Sequence, residues 1–150
     1  MNALAPTLAA PVRMFTQRFS PIRRGARLAR HLAVLQLHDW GVPLDGEDSY
    51  AASVVIAELA ANAITHGRVA GRDFELRMVL LPATRTLRVE VSDARGERMP
   101  EARGYGLTLV QAYARDWGVA GRRVGKTVWA ELGVRAGAGL WAGPVTPGCR

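Results

Sequence analysis

Alternation of apolar and polar residues at several places along the chain predicts a set of β-strands. Residues 12–19 alternate loosely, which indicates a first strand at a sheet edge. Residues 73–81 and 86–93 alternate more strictly, and the short Pro-Ala-Thr-Arg link between them suits a hairpin. Nearer the C-terminal end, residues 119–125 and 126–134 predict a closing pair of strands that meet at a glycine.

Helical periodicity occupies the intervals between these strands. Ser20 and Pro21 suit an N-cap and a first helical residue, so we expect a helix over residues 20–40. A second helix is expected over residues 45–66, and its apolar residues lie around most of its circumference, which predicts a central position. A third helix is expected over residues 107–117. The buried side of the first helix is predicted to consist of Leu28, Leu32 and Leu35.

This order of elements predicts an α+β fold, in the form of a two-layer α/β sandwich. A mixed, mostly antiparallel sheet of about five strands would carry about three helices on one face. One domain is expected over residues 12–133. Residues 1–11 are predicted to be frayed, and residues 134–150, which are rich in glycine, alanine and proline, are predicted to be disordered.

Composition narrows the class of protein. The 150 residues suit a single domain, and 49% hydrophobic with 22% charged residues is typical of soluble globular proteins. Cys149 is the only cysteine, which excludes an internal disulfide and a zinc cluster built on cysteines. No apolar stretch is long enough to span a bilayer, and the N-terminus lacks the basic region of a signal peptide. We therefore expect a cytoplasmic protein with no membrane partner.

Positive charge is concentrated at the N-terminal end. The formal net charge is +7, and the chain has no acidic residue before Asp39. A solvated helix face, an acidic protein partner and a nucleic acid are all compatible with such a patch, in decreasing order of preference. We do not expect a nucleic acid, because no basic motif with interleaved aromatic residues accompanies the patch. The contributing residues are Arg13, Arg18, Arg23, Arg24, Arg27 and Arg30.

The stretch ELAANAITHG, residues 58–67, places polar groups on an otherwise apolar helix. Glu58 and Asn62 are one turn apart, so their side chains lie on the same face. An exposed polar stripe or a capping network would explain them structurally. A site for Mg²⁺ and phosphate would explain them functionally, because an amide oxygen is a hard ligand and a carboxylate can accept a proton. These residues alone leave both interpretations open.

Further polar and glycine-containing signals occur downstream. Asp93 ends a strand, where its carboxylate can accept a hydrogen bond from an amino group such as N6 of adenine, or form a turn. Gly104 and Gly106 precede a helix whose N-terminus can hold a phosphate, and an ordinary loop would have the same pattern. In the last strand we place Lys126 at a strand edge, and we expect the hydroxyl of Thr127 to face the same cavity as Asp93.

The motifs that contain Glu58 and Asn62, Asp93, the two glycines Gly104 and Gly106, and Thr127 follow one another along the chain. In this order they resemble the ATP-binding domain of the superfamily of histidine kinases, DNA gyrase and heat-shock chaperones. The fold of this domain is known as the Bergerat fold. The small size, the ITHG ending and the segments GYGLTLVQAYARDWGV and GKTVWAEL are most similar to anti-sigma-factor serine kinases and their stand-alone bacterial ATP-binding relatives. The resemblance covers about residues 12–133. It implies that the protein binds ATP and Mg²⁺.

The resemblance also implies a role for individual residues. Glu58 matches the catalytic base, and Asn62 matches the Mg²⁺ ligand. Asp93 matches the carboxylate that reads adenine, with help from Thr127. Gly96 would lie next to adenine, and Met99 would form an apolar wall beside it. The segment before the third helix that would hold the phosphates consists of Gly104, Tyr105, Gly106 and Leu107.

Two features depart from the family pattern. Only residues 97–103 separate Gly96 from Gly104, which makes the ATP lid short. Tyr105 stands where many relatives have a basic residue that can meet a phosphate. Both features weaken the positioning and the charge stabilisation on which phosphoryl transfer depends. We expect adenine recognition to be retained and turnover to be the property most affected.

Two functions are compatible with these residues. The first is an ATP- and Mg²⁺-binding regulator of the anti-sigma-factor serine/threonine kinase type, which binds a sigma factor, phosphorylates an anti-anti-sigma-like protein, or both. The second is a catalytically degenerate interaction module that acts by sequestering its partner, with weak or no ATP turnover. Relatives of this type often dimerise, so the resemblance also admits a homodimer.

Overall fold

The structure, a computed structural model, describes residues 11–95 and 107–135 of the chain. Within these ranges, the elements occur in the order that the sequence pattern predicts, with a short 3-10 helix added at Pro82–Thr84. The elements are β1 (Arg13–Phe19), α1 (Arg23–Asp39), α2 (Glu47–His66), β2 (Phe74–Leu81), β3 (Thr86–Asp93), α3 (Thr108–Tyr113), β4 (Asp116–Gly121) and β5 (Lys126–Gly133).

The strands form a single sheet with the order β1-β2-β3-β5-β4, in which every neighbouring pair is antiparallel. β1 lies at an edge, as its loose alternation predicts. β5 inserts between β3 and β4, so the end of β3 meets the start of β5, where Asp93 is opposite Lys126. An α+β chain with a five-stranded antiparallel sheet and three α-helices is therefore confirmed for the described ranges, and the assignment to the Bergerat fold stays a prediction.

The two faces of the sheet differ because successive side chains of a strand point in opposite directions. Apolar residues fill the face toward the helices; the central ones are Leu76, Met78, Val89, Val91, Val128 and Ala130. On the other face, Arg88 lies 2.8 Å from Glu90 and 2.9 Å from Glu131. The guanidinium carbon of Arg88 also lies 4.3 Å from the ring centre of Trp129. Charged groups and one indole therefore cover the open face.

α2 is the central helix. It contacts α1, α3 and the three middle strands of the sheet, which confirms the central position that its apolar circumference predicts. Its buried apolar residues are Ala52, Val55, Ile56, Leu59, Ala60 and Ala63. None of the helices in the described part of the chain combines the length and the apolarity that crossing a bilayer requires.

The buried side of α1 differs from the predicted one. Leu28 is 48% exposed and Leu35 is 43% exposed, while Leu32 is partly buried. The buried residues are mostly small, namely Gly25, Ala29, Ala33 and Leu37. The prediction of a leucine-lined side is wrong because apolar residues occur at helical spacing on two sides of this helix, and the side with small residues allows close packing.

Two helix boundaries also differ from the predicted ones. α1 begins at Arg23 rather than at Ser20, because the backbone oxygen of Ser20 closes a turn by accepting a hydrogen bond from residue 22 at 2.8 Å. α3 ends at Tyr113, because the chain beyond it joins the sheet. The backbone nitrogen of Arg115 donates to the oxygen of Glu131 at 2.8 Å. Pairing with β5 thus overrides the helical pattern of these residues.

Candidate functional site

Two polar side chains lie in the C-terminal half of α2. Asn62 is 3% exposed, and its amide oxygen Oδ1 is shielded from solvent. Glu58, one turn earlier, is partly buried. The i, i+4 spacing puts both side chains on one side of the helix, about 6 Å apart along its axis. An exposed polar stripe therefore does not describe Asn62.

The carboxylate of Asp93, at the end of β3, lies against the end of α2. Asp93 is 4% exposed. A Cβ at Gly67 would lie 2.2 Å from Oδ2 of Asp93, so only glycine leaves room for the carboxylate. Gly67 has a φ of −106°, which any residue can adopt, so its role is space rather than backbone conformation. This contact joins the helix that carries Glu58 and Asn62 to the strand that carries Asp93.

Lys126, the first residue of β5, forms a buried ion pair with Asp93. Its Nζ lies 2.8 Å from Oδ2 of Asp93, and the two side chains are 1% and 3% exposed. Nζ also donates to the backbone oxygen of Arg95 at 3.1 Å, and the backbone nitrogen of Arg95 donates to Oδ1 of Asp93 at 3.0 Å. Buried charges are tolerated when they have such partners. The three residues form one polar cluster in which both charged side chains of the ion pair are buried.

The prediction that Lys126 lies at a strand edge is wrong. Its side chain shares the inward side of β5 with Val128 and Ala130. The alternation along β5 predicts this inward position, because Lys126 is two residues before Val128 and four before Ala130. Gly125, with a φ of +84°, precedes it, and a Cβ there would lie 1.8 Å from the backbone oxygen of Asp93. Glycine therefore lets the two strands approach where Lys126 begins.

Thr127 does not lie beside Asp93, which corrects the expectation that they face one cavity. Because Lys126 points inward, the next side chain along β5 points to the open face of the sheet. There, Oγ1 of Thr127 lies 2.7 Å from Oγ of Ser92, its cross-strand partner. The place beside Asp93 belongs to Lys126 instead.

Leu107 is the remaining predicted site residue that the structure describes. It is fully buried, and its backbone oxygen accepts a hydrogen bond from Gln111 at 2.9 Å in the first turn of α3. α3 packs against α2, so Leu107 belongs to the same helical layer as Glu58 and Asn62. The other predicted residues lie outside the described ranges: Gly96, Met99, Gly104, Tyr105 and Gly106.

A cleft of about 420 Å³ opens beside Asp93, and neither Glu58 nor Asn62 lines it. Arginine and acidic side chains line it together, among them Arg18 and Glu75, which pair across β1 and β2 at 3.5 Å. The cleft thus has charges of both signs and lies apart from the polar side of α2. Among the residues that the structure describes, no group of three or more histidine, cysteine, aspartate or glutamate side chains could hold a metal ion.

The described residues fit a nucleotide with Mg²⁺ in their donor and acceptor chemistry. The buried amide oxygen of Asn62 is a hard ligand of the kind that Mg²⁺ accepts. The carboxylate of Asp93 can accept a hydrogen bond from an exocyclic amino group. The space left at Gly67 brings that carboxylate against the helix that holds Asn62.

No protein-family model matches the chain, and no curated protein matches it either. The resemblance to the ATP-binding superfamily therefore rests on the order of the sequence motifs.

The ionisation of Asp93 makes stability depend on pH. Burial raises the pKa of its carboxyl above the ordinary 3.8, and the ammonium of Lys126 opposes this rise. Between 3.8 and the raised pKa, the folded state binds more protons here than the unfolded state, so this contribution to stability falls as the pH rises. We expect the wild type to lose stability relative to the D93N/K126M double variant as the pH rises from 3.8 through the raised pKa of Asp93. Urea unfolding at several pH values measures this difference, and a constant or growing difference would contradict the prediction.

Proposed function

We propose that the chain is an ATP- and Mg²⁺-binding regulator of the anti-sigma-factor serine/threonine kinase type. Its partners would be a sigma factor, an anti-anti-sigma-like protein, or both. The observation that carries the proposal is the contact of Gly67 with Asp93, because it joins the helix of Glu58 and Asn62 to the carboxylate. The family resemblance assigns these groups to one site, and the contact places the end of the helix that carries Glu58 and Asn62 beside the carboxylate of Asp93.

In the kinase form, each side chain has one task. Bound ATP supplies the phosphoryl group, and Mg²⁺ neutralises its charge. Asn62 would hold Mg²⁺ through its amide oxygen, and Asp93 would accept a hydrogen bond from the amino group of the base. Glu58 would take the proton from the hydroxyl of a serine or threonine on the partner. Asn62 and Asp93 would therefore bind the nucleotide with its Mg²⁺, and Glu58 would take part in the transfer of the phosphoryl group.

A sequestering module without turnover is the second candidate. The observation in its favour is that both carboxylate oxygens of Asp93 already have partners, Lys126 and the backbone of Arg95. In this alternative, the carboxylate of Asp93 has only a structural role, which is to link β3 to β5 through Lys126. The protein then acts by binding its partner on its surface. Neither heat nor a thermal shift would then accompany the addition of ATP with Mg²⁺.

Calorimetric titration of the full chain with ATP and Mg²⁺ tests the choice. We expect Asn62→Ala and Asp93→Asn each to weaken binding by about tenfold or more, because each removes a polar contact to a charged or bound group. Thr65→Ala is the matched control, since Thr65 is exposed on the same helix. Circular dichroism verifies that each variant is folded.

The titration separates the two candidates. Wild-type protein that gives no heat and no thermal shift would favour the sequestering module. Binding by the wild type with unchanged affinity in Asn62→Ala and Asp93→Asn would reject the roles of these residues.

A further inference from the structure

Two consecutive residues of β5 face opposite sides of the sheet, and only the first reaches Asp93. Nζ of Lys126 lies 2.8 Å from Oδ2 of Asp93. The hydroxyl of Thr127 lies 2.7 Å from Ser92 on the open face. The group that accompanies the carboxylate is therefore a cation with N–H donors, not a hydroxyl that can donate or accept.

The buried ammonium of Lys126 has one more donor than its contacts use. A lysine ammonium has three N–H donors. Two of them serve Oδ2 of Asp93 and the backbone oxygen of Arg95. The third has no hydrogen-bond acceptor within residues 11–95 and 107–135, although Lys126 is 0% exposed. A desolvated donor without an acceptor is costly, and an acceptor atom of a ligand at this place would satisfy it.

We propose that Lys126 is a specificity-determining residue of the nucleotide site, with its Nζ donating to N1 of adenine while Asp93 accepts from the N6 amino group. This inference rests on the proposed ATP binding. The pair presents an acceptor and a donor side by side, and the Watson–Crick edge of adenine presents a donor at N6 and an acceptor at N1. Each group of the pair therefore meets its complement.

The same pair rejects guanine. Guanine carries an acceptor at O6 and an N–H donor at N1, which is the reverse order. O6 would face the carboxylate of Asp93, and the N1–H would face the ammonium of Lys126. Buried polar groups that are left facing like groups lose their hydrogen bonds, which is how a site discriminates strongly between similar ligands.

Titration with ATP and with 1-deaza-ATP tests the role of Lys126, because the analogue replaces only N1 by C–H. We expect the wild type to bind ATP about tenfold or more tightly than 1-deaza-ATP, since a hydrogen bond from a charged donor is lost. Lys126→Met should bind both nucleotides equally. Thr127→Val is the matched neighbour, and it should keep the wild-type preference because its hydroxyl bonds Ser92 on the other face.

Each outcome decides the inference. Equal binding of the two nucleotides by the wild type would overturn it without any variant, even where Lys126→Met does not fold. A preference for ATP that persists in folded Lys126→Met, or disappears in Thr127→Val, would overturn it as well. Wild-type protein that binds neither nucleotide would reject the proposed function and this inference together, whereas ATP binding without discrimination at N1 would reject this inference alone.

Discussion

Glu58→Gln is expected to lower the rate of phosphoryl transfer to a partner by about 10²- to 10⁴-fold, the usual contribution of a general base. Glutamine has nearly the shape of glutamate and cannot accept the proton of the attacking hydroxyl. ATP affinity should stay within about twofold, because the roles in binding belong to Asn62 and Asp93. A partner protein is first captured from a lysate of the native cell with the wild-type chain and purified. The transfer of labelled phosphate from ATP to this partner is then measured.

Glu47→Gln is the control for Glu58→Gln. Glu47 lies in the first turn of the same helix and is exposed. The substitution therefore removes the same charge from α2, but at a distance from the site. We expect it to transfer phosphate at the wild-type rate. Transfer at the wild-type rate by Glu58→Gln would remove Glu58 from the mechanism, and an equal loss in both variants would indicate an effect of helix charge.

Lys126→Ala is expected to lower the free energy of unfolding by about 3–5 kcal/mol, the effect of removing one partner from a buried ion pair. The substitution leaves the carboxylate of Asp93 buried without its cation, in a cluster whose two charged side chains are 1% and 3% exposed. Urea denaturation followed by circular dichroism measures the change. The effect is large because it combines lost attraction with an uncompensated charge.

Two further variants serve as controls for the loss of stability in Lys126→Ala. The D93N/K126M double variant should recover most of the loss, because neutral side chains of similar volume often replace a buried pair without cost. Arg18→Ala breaks a pair with Glu75 whose arginine side chain is 76% exposed, and it should change stability by less than about 1 kcal/mol. If Lys126→Ala costs no more than Arg18→Ala, Lys126 does not compensate a buried negative charge on Asp93.

The architecture and the bounds of β2 and β3 were predictable from local patterns, whereas the start of α1, the end of α3 and the bounds of β4 were not. Strict alternation located β2 and β3, and the apolar circumference of α2 placed it in the centre. The end of α3 was not predictable from helical periodicity, because the residues after Tyr113 gain backbone hydrogen bonds from β5, which lies further along the chain. The buried side of α1 was mispredicted for a different reason, since residue size decided the packing at Ala29 and Ala33 rather than hydrophobicity.

The candidate site was predictable only in part. The sequence spacing put Glu58 and Asn62 on one side of a helix, and the strand pattern put Asp93 at a strand end. The partner of Asp93 depends on the register between β3 and β5, which are separated in sequence by α3 and β4. The alternation along β5 puts Lys126 on the inward side, but it does not show which residue of β3 lies opposite.

The absence of a side chain at Gly67 has a mechanical consequence. The end of α2 is in van der Waals contact there with the side chain of Asp93, whose conformation is held by Lys126 and the backbone of Arg95. A shift of the last residue of β3 toward α2 must therefore move the helix itself. The helical layer and the sheet are rigidly coupled at this point, and the coupling passes to the turn of α2 that carries Asn62.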